Sequence, residues 1–261
     1  MNSLRLIWVF LRIAVLNELA YRANFFVQFF QSSLALATAL VGLAVVFSHT
    51  QTLAGWRASE LLALVGIYFV VGGVSNVVIK PSMQQLMEDV RLGTLDYTLT
   101  KPADSQLLVS VKQVEVWELG DVILGLGVLA VALLRLRSSI GALQAVEFGI
   151  AVLAGAAIVY SFLLTLTTLS FWVVRVSNIL VIFNAMYEAG RWPVGIYPPW
   201  LRLSLTFVVP VAFAITVPAE ALVGRLNGPT LLGAVALAVV LLVGSRWFWT
   251  VGVRHYSGAS A

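Results

Sequence analysis

The sequence predicts an all-α polytopic membrane protein with six transmembrane helices, and three observations carry this prediction. Of the 261 residues, 60% are hydrophobic and only 11% are charged, whereas an ordinary soluble domain is about 25% charged. Several apolar runs reach the length of about 20 residues that a membrane-spanning helix needs. The chain has no cysteine, which excludes disulfides and thiolate metal sites. The net charge of +4 comes without a dense basic cluster, so a nucleic-acid-binding protein is also excluded.

Residues 1–24 precede the first apolar run and are predicted to form an amphipathic helix in the membrane interface. Arg5 and Arg12 lie on one face of such a helix, while most of their neighbours are apolar. No small-residue cleavage site follows them, so a signal peptide is not expected. The helix either anchors the chain or moves during function, and both interpretations stay open.

Five apolar runs are predicted to be membrane-spanning helices, because each is long enough and nearly free of charge. They cover residues 25–48, 61–79, 116–134, 144–174 and 230–249. The 16 lysines and arginines are biased towards the segments that this arrangement places in the cytoplasm, together with both termini. Arg135 and Arg137 run against that bias.

A sixth crossing is expected between Arg175 and the last span, because the chain must change sides there an odd number of times. The available stretch contains Pro193, Pro198, Pro199, Pro210 and Pro218. We expect residues 177–191 to cross and residues 191–225 to dip back as a re-entrant outer segment, since irregular backbone at membrane depth must be covered by protein. The alternative is a crossing by residues 199–217.

The sequence contains no pattern that would make this chain an enzyme. No lysine has the preceding glycine and the following serine or threonine of a phosphate-binding loop. His49 and His255 fall at opposite membrane faces in the predicted topology, so they cannot share a metal ion. No catalytic, cofactor-binding or metal-ligating residue is therefore predicted, and any ATP hydrolysis would have to come from another chain.

Charged side chains recur at the start of the third span. Lys112, Glu115, Glu118 and Asp121 are three residues apart and form a slanted stripe on a helix. Glu118 and Asp121 fall within the inner leaflet if the span reaches its full length, and ionisable groups at that depth mark pathways or subunit contacts. The alternative is a helix end in the headgroup region, where Lys112 pairs with a neighbouring carboxylate.

The cytoplasmic segment at residues 80–106 carries a second pattern. Apolar residues recur at roughly helical spacing between Met83 and Leu92, and Gly93 offers a stop. This pattern predicts an amphipathic helix that lies along the membrane surface and projects polar side chains towards the cytoplasm. Its charged residues are Glu88, Asp89 and Arg91.

The outer segment at residues 191–225 combines charged side chains with helix-breaking and interfacial residues. We expect Glu220 to pair with Arg225 or Arg191. The other candidate positions are Pro193, Pro199, Trp200, Pro210 and Pro218. The segment either contacts cargo or forms a tightly folded external cap.

Four short motifs in a fixed order give the chain a family resemblance. The entry to the first span reads YRANF at residues 21–25. The cytoplasmic motif comprises Asp89, Val90, Arg91, Gly93, Leu95, Asp96, Leu99 and Pro102. The outer motif comprises Gly190, Arg191, Pro193, Pro199, Trp200, Leu201, Pro210, Pro218, Ala219 and Leu222. The tail motif comprises Arg254, His255, Tyr256, Ser257 and Gly258. Together they resemble the membrane subunit of type-2 ATP-binding-cassette (ABC) exporters, more narrowly the six-span permeases whose ATPase is a separate polypeptide.

The resemblance implies roles for several of these segments. The amphipathic cytoplasmic helix would be a coupling helix that sits in a groove of the ATPase, with contacts from Glu88, Asp89, Arg91, Gly93 and Asp96. Two permease chains, the same or different, would assemble with two cytoplasmic ATPase subunits in the plasma membrane of a prokaryote. ATP and magnesium would bind to the ATPase subunits and not to this chain. The alternatives are an ion- or proton-coupled secondary transporter and a structural subunit of a membrane complex.

Overall fold

The computed structural model describes Arg12, Leu16 and residues 22–136, 141–173 and 177–256. Most of the interfacial helix predicted over residues 1–24 lies outside the described residues, as do Ser257 and Gly258 of the tail motif. Every regular element in the described part is helical, which confirms the all-α fold.

The α-helices of the described residues are numbered in chain order. They are α1 (Arg22–His49), α2 (Ala58–Val74), α3 (Lys80–Leu92), α4 (Asp96–Leu99), α5 (Ser105–Ser110), α6 (Leu119–Leu136), α7 (Ala142–Thr168), α8 (Ser177–Glu188), α9 (Pro199–Leu203), α10 (Val211–Leu222) and α11 (Gly228–His255). Short 3-10 turns cover Val116–Glu118, Leu169–Phe171, Ala189–Arg191 and Val194–Ile196, and π-helical turns cover Ser75–Ile79 and Ser204–Val208.

Five helical stretches are long and apolar enough to cross a membrane, which confirms a polytopic membrane protein. They are Phe25–His49, Ala58–Leu92, Val116–Leu136, Ala142–Phe171 and Gly228–His255. Each overlaps one of the five predicted spans. The second is much longer than predicted, because α2, the π-helical turn and α3 form one helix of 35 residues.

Pro81 does not end this long helix. A proline has no N–H, and it leaves the carbonyl four residues earlier without its helical donor. That carbonyl belongs to Val77, and the backbone N–H of Glu115 donates to it over 2.8 Å. The helix continues past the proline because another segment supplies the missing donor. The predicted amphipathic helix is therefore the continuation of the second span, and not a separate element along the membrane surface.

α2 lies at the centre of the bundle, and glycines let its neighbour approach closely. Every residue from 61 to 69 is buried. A Cβ atom added to Gly66 would lie 2.9 Å from the backbone nitrogen of Leu129 on α6, and one added to Gly125 would lie 2.7 Å from that of Val70. Close approach through small residues is the usual way in which helices pack inside a membrane. α1 and α11 lie at the periphery, and only 17% of the most apolar stretch of each is buried.

Different loops mark the two ends of the bundle. The segment that we call the connector, residues 93–115, lies at one end, the connector end. Residues 50–57, between α1 and α2, lie at the opposite end, the far end.

The proline-rich segment reaches the far end twice. A Cβ atom added to Gly195 would lie 3.9 Å from the Cβ of Ala54, and a guanidinium N–H of Arg225 donates to the carbonyl of Gly55 over 2.8 Å. Between these points, the helical stretches Pro199–Val208 and Val211–Leu222 meet at an angle of 95°. The segment is therefore a hairpin of helices whose two ends share one end of the bundle.

The bend of this hairpin follows from Pro210. A proline disfavours the helical conformation at the residue before it, and Val209 is extended, with φ −121° and ψ 96°. Pro218 lies inside α10 without ending it.

α8 is shorter than the crossing predicted at residues 177–191. Its 12 residues span about 18 Å at 1.5 Å per residue, less than the hydrocarbon thickness of about 30 Å. The 3-10 turns Ala189–Arg191 and Val194–Ile196 continue the path, and the chain reaches the far end at Gly195.

Candidate functional site

The connector begins with a left-handed turn at the end of α3. Gly93 has φ 70°, a conformation that glycine adopts without the strain of a side chain. The backbone N–H groups of Thr94 and Leu95 donate to the carbonyl of Asp89 over 2.9 and 3.3 Å. The turn ends the helix at Leu92, as the sequence predicts, and folds the connector back towards α3.

Asp89 is the buried anchor of this turn. Its side chain is only 4% exposed and forms an ion pair with the ammonium group of Lys112 at the other end of the connector. Its Oδ1 atom accepts hydrogen bonds from Gln85 over 2.9 Å and from the Thr94 hydroxyl over 3.2 Å. The carboxylate is engaged within the chain, where it joins the two ends of the connector.

Exposed side chains on both sides of the Gly93 turn form what we call the tip surface: Glu88, Arg91, Leu92 and Tyr97. Hydrogen bonds of 2.5 and 2.9 Å join the guanidinium of Arg91 to the Glu88 carboxylate. Leu92 is 57% and Tyr97 75% exposed. Tyrosine and arginine, together with tryptophan, are enriched among the residues that dominate binding in protein interfaces. The tip surface therefore has the composition of a docking site.

Two predicted coupling residues flank the tip surface without extending it. Gly93 supplies the turn itself, and Asp96 begins α4 with a partly buried side chain. The sequence does not mark Tyr97, because nothing in a four-residue helix indicates which side chain will face outwards.

A second anchor ties the middle of the connector to the last helix. Asp104 accepts the backbone N–H of Leu107 over 3.1 Å at the start of α5. It also accepts two hydrogen bonds, of 2.9 and 2.5 Å, from the guanidinium of Arg246 on α11. The hydrogen bonds from Arg246 hold the pKa of Asp104 below its usual range. Arg246 donates further to Gln106 over 3.0 Å, and Gln106 donates to the hydroxyl of Tyr160 on α7 over 3.1 Å.

No local pattern in the sequence marks this second anchor. Arg246 lies near the end of the last span, and its partner Asp104 lies 142 residues earlier. Trp249 reinforces the contact, since its indole N–H donates to the Ser105 hydroxyl over 3.3 Å.

The charged stripe of the third span lies beside an open cavity of about 370 Å³ that is lined mainly by the second span, α6 and α8. The cavity is lined by Tyr68, Phe69, Gly72, Asn76, Lys80, Pro81, Gln84, Glu115, Glu118, Asp121, Asn184, Tyr187 and Glu188. The Glu118 carboxylate accepts hydrogen bonds from Gln28 over 2.7 Å and from Asn76 over 3.2 Å. Three stripe residues, Glu115, Glu118 and Asp121, thus share one polar cavity, whereas Lys112 pairs with Asp89.

The candidate residues of the outer segment do not form one site. The Arg191 guanidinium lies 5.2 Å from the centre of the Tyr68 ring, inside the bundle. Arg225 forms its ion pair with Glu60 of α2 over 2.7 Å. Within the described residues, Glu220 therefore forms no ion pair with Arg225 or Arg191, and Arg225 pairs with Glu60 instead. Pro193, Pro210 and Pro218 are buried, and Pro199 and Trp200 are exposed.

Within the described residues, no group of three or more histidine and carboxylate side chains could hold a metal ion. Searches among curated proteins and among solved structures each found no match to this chain. A family model described as "ABC-2 family transporter protein" matches residues 33–260. This match covers most of the chain and includes the connector, the proline-rich hairpin and α11, so the chain belongs to the ABC-2 transporter family as a membrane-spanning permease subunit.

Proposed function

We propose that this permease subunit works in an exporter and docks a separate cytoplasmic ATPase through the tip surface. The proposal rests on the difference in burial between the side chains around the Gly93 turn. Asp89 is buried and fixes the connector, while Arg91, Leu92 and Tyr97 are exposed on the outside of the same turn. A partner can therefore bind to side chains whose backbone is already held in place, which lowers the ordering cost of binding.

The proposed assembly contains two permease chains, identical or different, and two ATPase subunits. ATP and magnesium bind to the ATPase subunits, because this sequence has no phosphate-binding loop. The connector end and both termini face the cytoplasm of a prokaryote, and the far end faces outwards. The excess of lysine and arginine in the segments assigned to the inside supports this orientation.

The proline-rich hairpin is proposed to be re-entrant, entering the membrane from outside and leaving on the same side. The contacts of Gly195 and Arg225 with residues 54 and 55 support this interpretation. Irregular backbone at the Val209 bend is then shielded by protein, as membrane depth requires, since Val209 and Pro210 are both buried.

The connector is suited to transmit motion from the ATPase to the spans. ATP can shift the equilibrium between inward-facing and outward-facing states only through contacts that differ between them. A displacement of the tip surface pulls on the second span directly, because α3 continues α2. It also pulls on the last span through the hydrogen bonds between Asp104 and Arg246.

The test exchanges the charges of the tip surface. The complex is purified from native membranes, the co-purifying chain is identified by mass spectrometry as an ATPase, and its affinity for the permease is measured. Tyr97→Ala is expected to weaken binding by about thirtyfold or more, the loss typical of an interface hot spot. Glu88→Lys and Arg91→Glu are each expected to weaken it as well.

The double variant Glu88→Lys/Arg91→Glu separates docking from helix stability. It restores an ion pair on the surface of α3 but presents the opposite charges to a partner. Docking through these charges predicts that the double variant binds as poorly as the single ones. Recovery of binding would show that the pair only stabilises the helix, and full affinity in every variant would refute the proposed docking surface.

A further inference from the structure

An apolar groove opens between α1, α2 and α6 near the far end of the bundle. Its volume is about 560 Å³, and every lining residue except Arg135 is apolar, including Leu43, Phe47, Leu62 and Val128. Gly127 lies in the groove, and a Cβ atom added there would meet nothing within 4 Å. The groove is therefore an open space in a face that the membrane covers.

Arg135 is the charged residue of this groove. It lines the groove together with Phe47 and Ala58, which lie on either side of the far-end residues 50–57. Its side chain is exposed, and it takes part in no ion pair or side-chain hydrogen bond within the described ranges. It is also one of the two arginines that run against the charge bias of the chain. A cation beside an apolar groove matches a ligand that has an anionic group attached to a hydrocarbon chain.

We propose that the groove binds one anionic phospholipid from the leaflet at the far end. An acyl chain lies along the groove over Gly127, and the phosphate contacts the guanidinium of Arg135. Because lipid tails are as apolar as the groove itself, the hydrocarbon walls give little preference for one lipid over another. The preference for an anionic headgroup comes from Arg135, since a guanidinium binds phosphate oxygens through paired hydrogen bonds.

The experiment measures which phospholipids remain bound to the purified transporter complex. The complex is exchanged into detergent with equal amounts of phosphatidylglycerol and phosphatidylcholine, and the retained lipids are counted by native mass spectrometry. Arg135→Gln is expected to lower the preference for phosphatidylglycerol by about fivefold, the effect of one basic residue near an anionic headgroup. Arg202→Gln, which removes an exposed arginine outside the groove, should leave the preference unchanged.

A second pair of variants tests the acyl chain. Gly127→Leu fills the groove and should remove the bound lipid whatever its headgroup, while leucine favours the helix more than glycine does. Gly233→Leu is the matched control, because it is an exposed helical glycine with nothing within 4 Å and lies outside the groove.

Three outcomes would overturn the proposal. Retention of phosphatidylglycerol unchanged by Gly127→Leu would show that the groove holds no acyl chain. Displacement of the lipid by soluble glycerol phosphate would show a headgroup site without a tail site. A change in oligomeric state on Gly127→Leu, with lipid retention intact, would assign the groove to a second copy of the chain. All three leave the ATPase-docking proposal untouched, because the groove and the tip surface lie at opposite ends of the bundle.

Discussion

The buried carboxylate of Asp89 offers the sharpest test of how the connector is held. Three donors meet it: the ammonium of Lys112, the amide of Gln85 and the hydroxyl of Thr94. Asp89→Asn keeps an acceptor oxygen for the two neutral donors but removes the charge that pairs with Lys112. The Lys112 side chain is 25% exposed, so water partly compensates, and we expect a loss of about 2 kcal/mol, below the 3–5 typical of a broken buried pair.

Asp89→Ala removes the two neutral hydrogen bonds as well. Each contributes about 1 kcal/mol, so the total loss should be about 4 kcal/mol. A protein with a stability of 5–15 kcal/mol can still fold with this loss. The double variant Asp89→Asn/Lys112→Met should cost less than the sum of its single changes, because neither charge is then left without its partner.

The assay is denaturant unfolding in detergent micelles, together with hydrogen exchange at the backbone amide of Thr94. That amide donates to the carbonyl of Asp89 and reports on the turn itself. Glu88→Gln is the matched control one residue away, since it breaks an exposed pair and should leave both readouts nearly unchanged. Equal effects of Asp89→Asn and Asp89→Ala, or additive effects of Asp89→Asn and Lys112→Met, would refute this account of the anchor.

Two further predictions concern the other attachments of the connector. Pro81→Ala supplies an N–H that competes for the carbonyl of Val77, so hydrogen exchange at the amide of Glu115 should accelerate; unchanged protection would contradict this assignment of the acceptor. The lowered pKa of Asp104 means that its stabilisation is present above the ordinary carboxyl range and is lost as the pH falls through the lowered pKa. Arg246→Gln should therefore reduce the loss of thermal stability in acid, measured as unfolding temperature against pH. If the unfolding temperature falls equally at low pH in both proteins, the pairing is contradicted.

Much of the helical arrangement could be predicted from the sequence, because its causes are local. Runs of apolar residues long enough for a bilayer locate all five spans and set the bounds of every one except the second closely, and Gly93 ends α3 through its own backbone conformation. Pro210 forms the bend of the hairpin because a proline constrains the backbone of the residue before it. Such effects act within a few residues and can be recognised in a single sequence.

Pro81 shows where local reasoning fails. A proline in the first turn of a helix and a proline inside a longer helix have the same sequence signature. What decides between them is the N–H of Glu115, which reaches the carbonyl of Val77 from 38 residues away along the chain. The prediction of a separate helix at residues 83–92 missed this contact and so missed the continuity of the second span.

The same limit applies to charge. Asp89 was assigned to the exposed face of an amphipathic helix because it is flanked by Glu88 and Arg91, which are exposed. Burial of Asp89 depends on its ion pair with Lys112, which lies 23 residues away along the chain. The second anchor depends on a contact between Asp104 and Arg246, which are 142 residues apart. Pairing over such distances is fixed by the fold, and a single sequence does not record it.

Under the proposed function, the two anchors let the connector transmit a displacement from the ATPase to the spans. A connector of 23 residues with free ends could absorb a displacement at Tyr97 by changing its own shape. In this chain the start of the connector is bound to its end by Asp89 and Lys112, and its middle is bound to α11 by Arg246. The connector therefore has few internal degrees of freedom left. We expect a displacement of the tip surface to move the second and last spans together, and Arg246→Gln should uncouple ATP hydrolysis from transport while leaving the affinity for the ATPase intact.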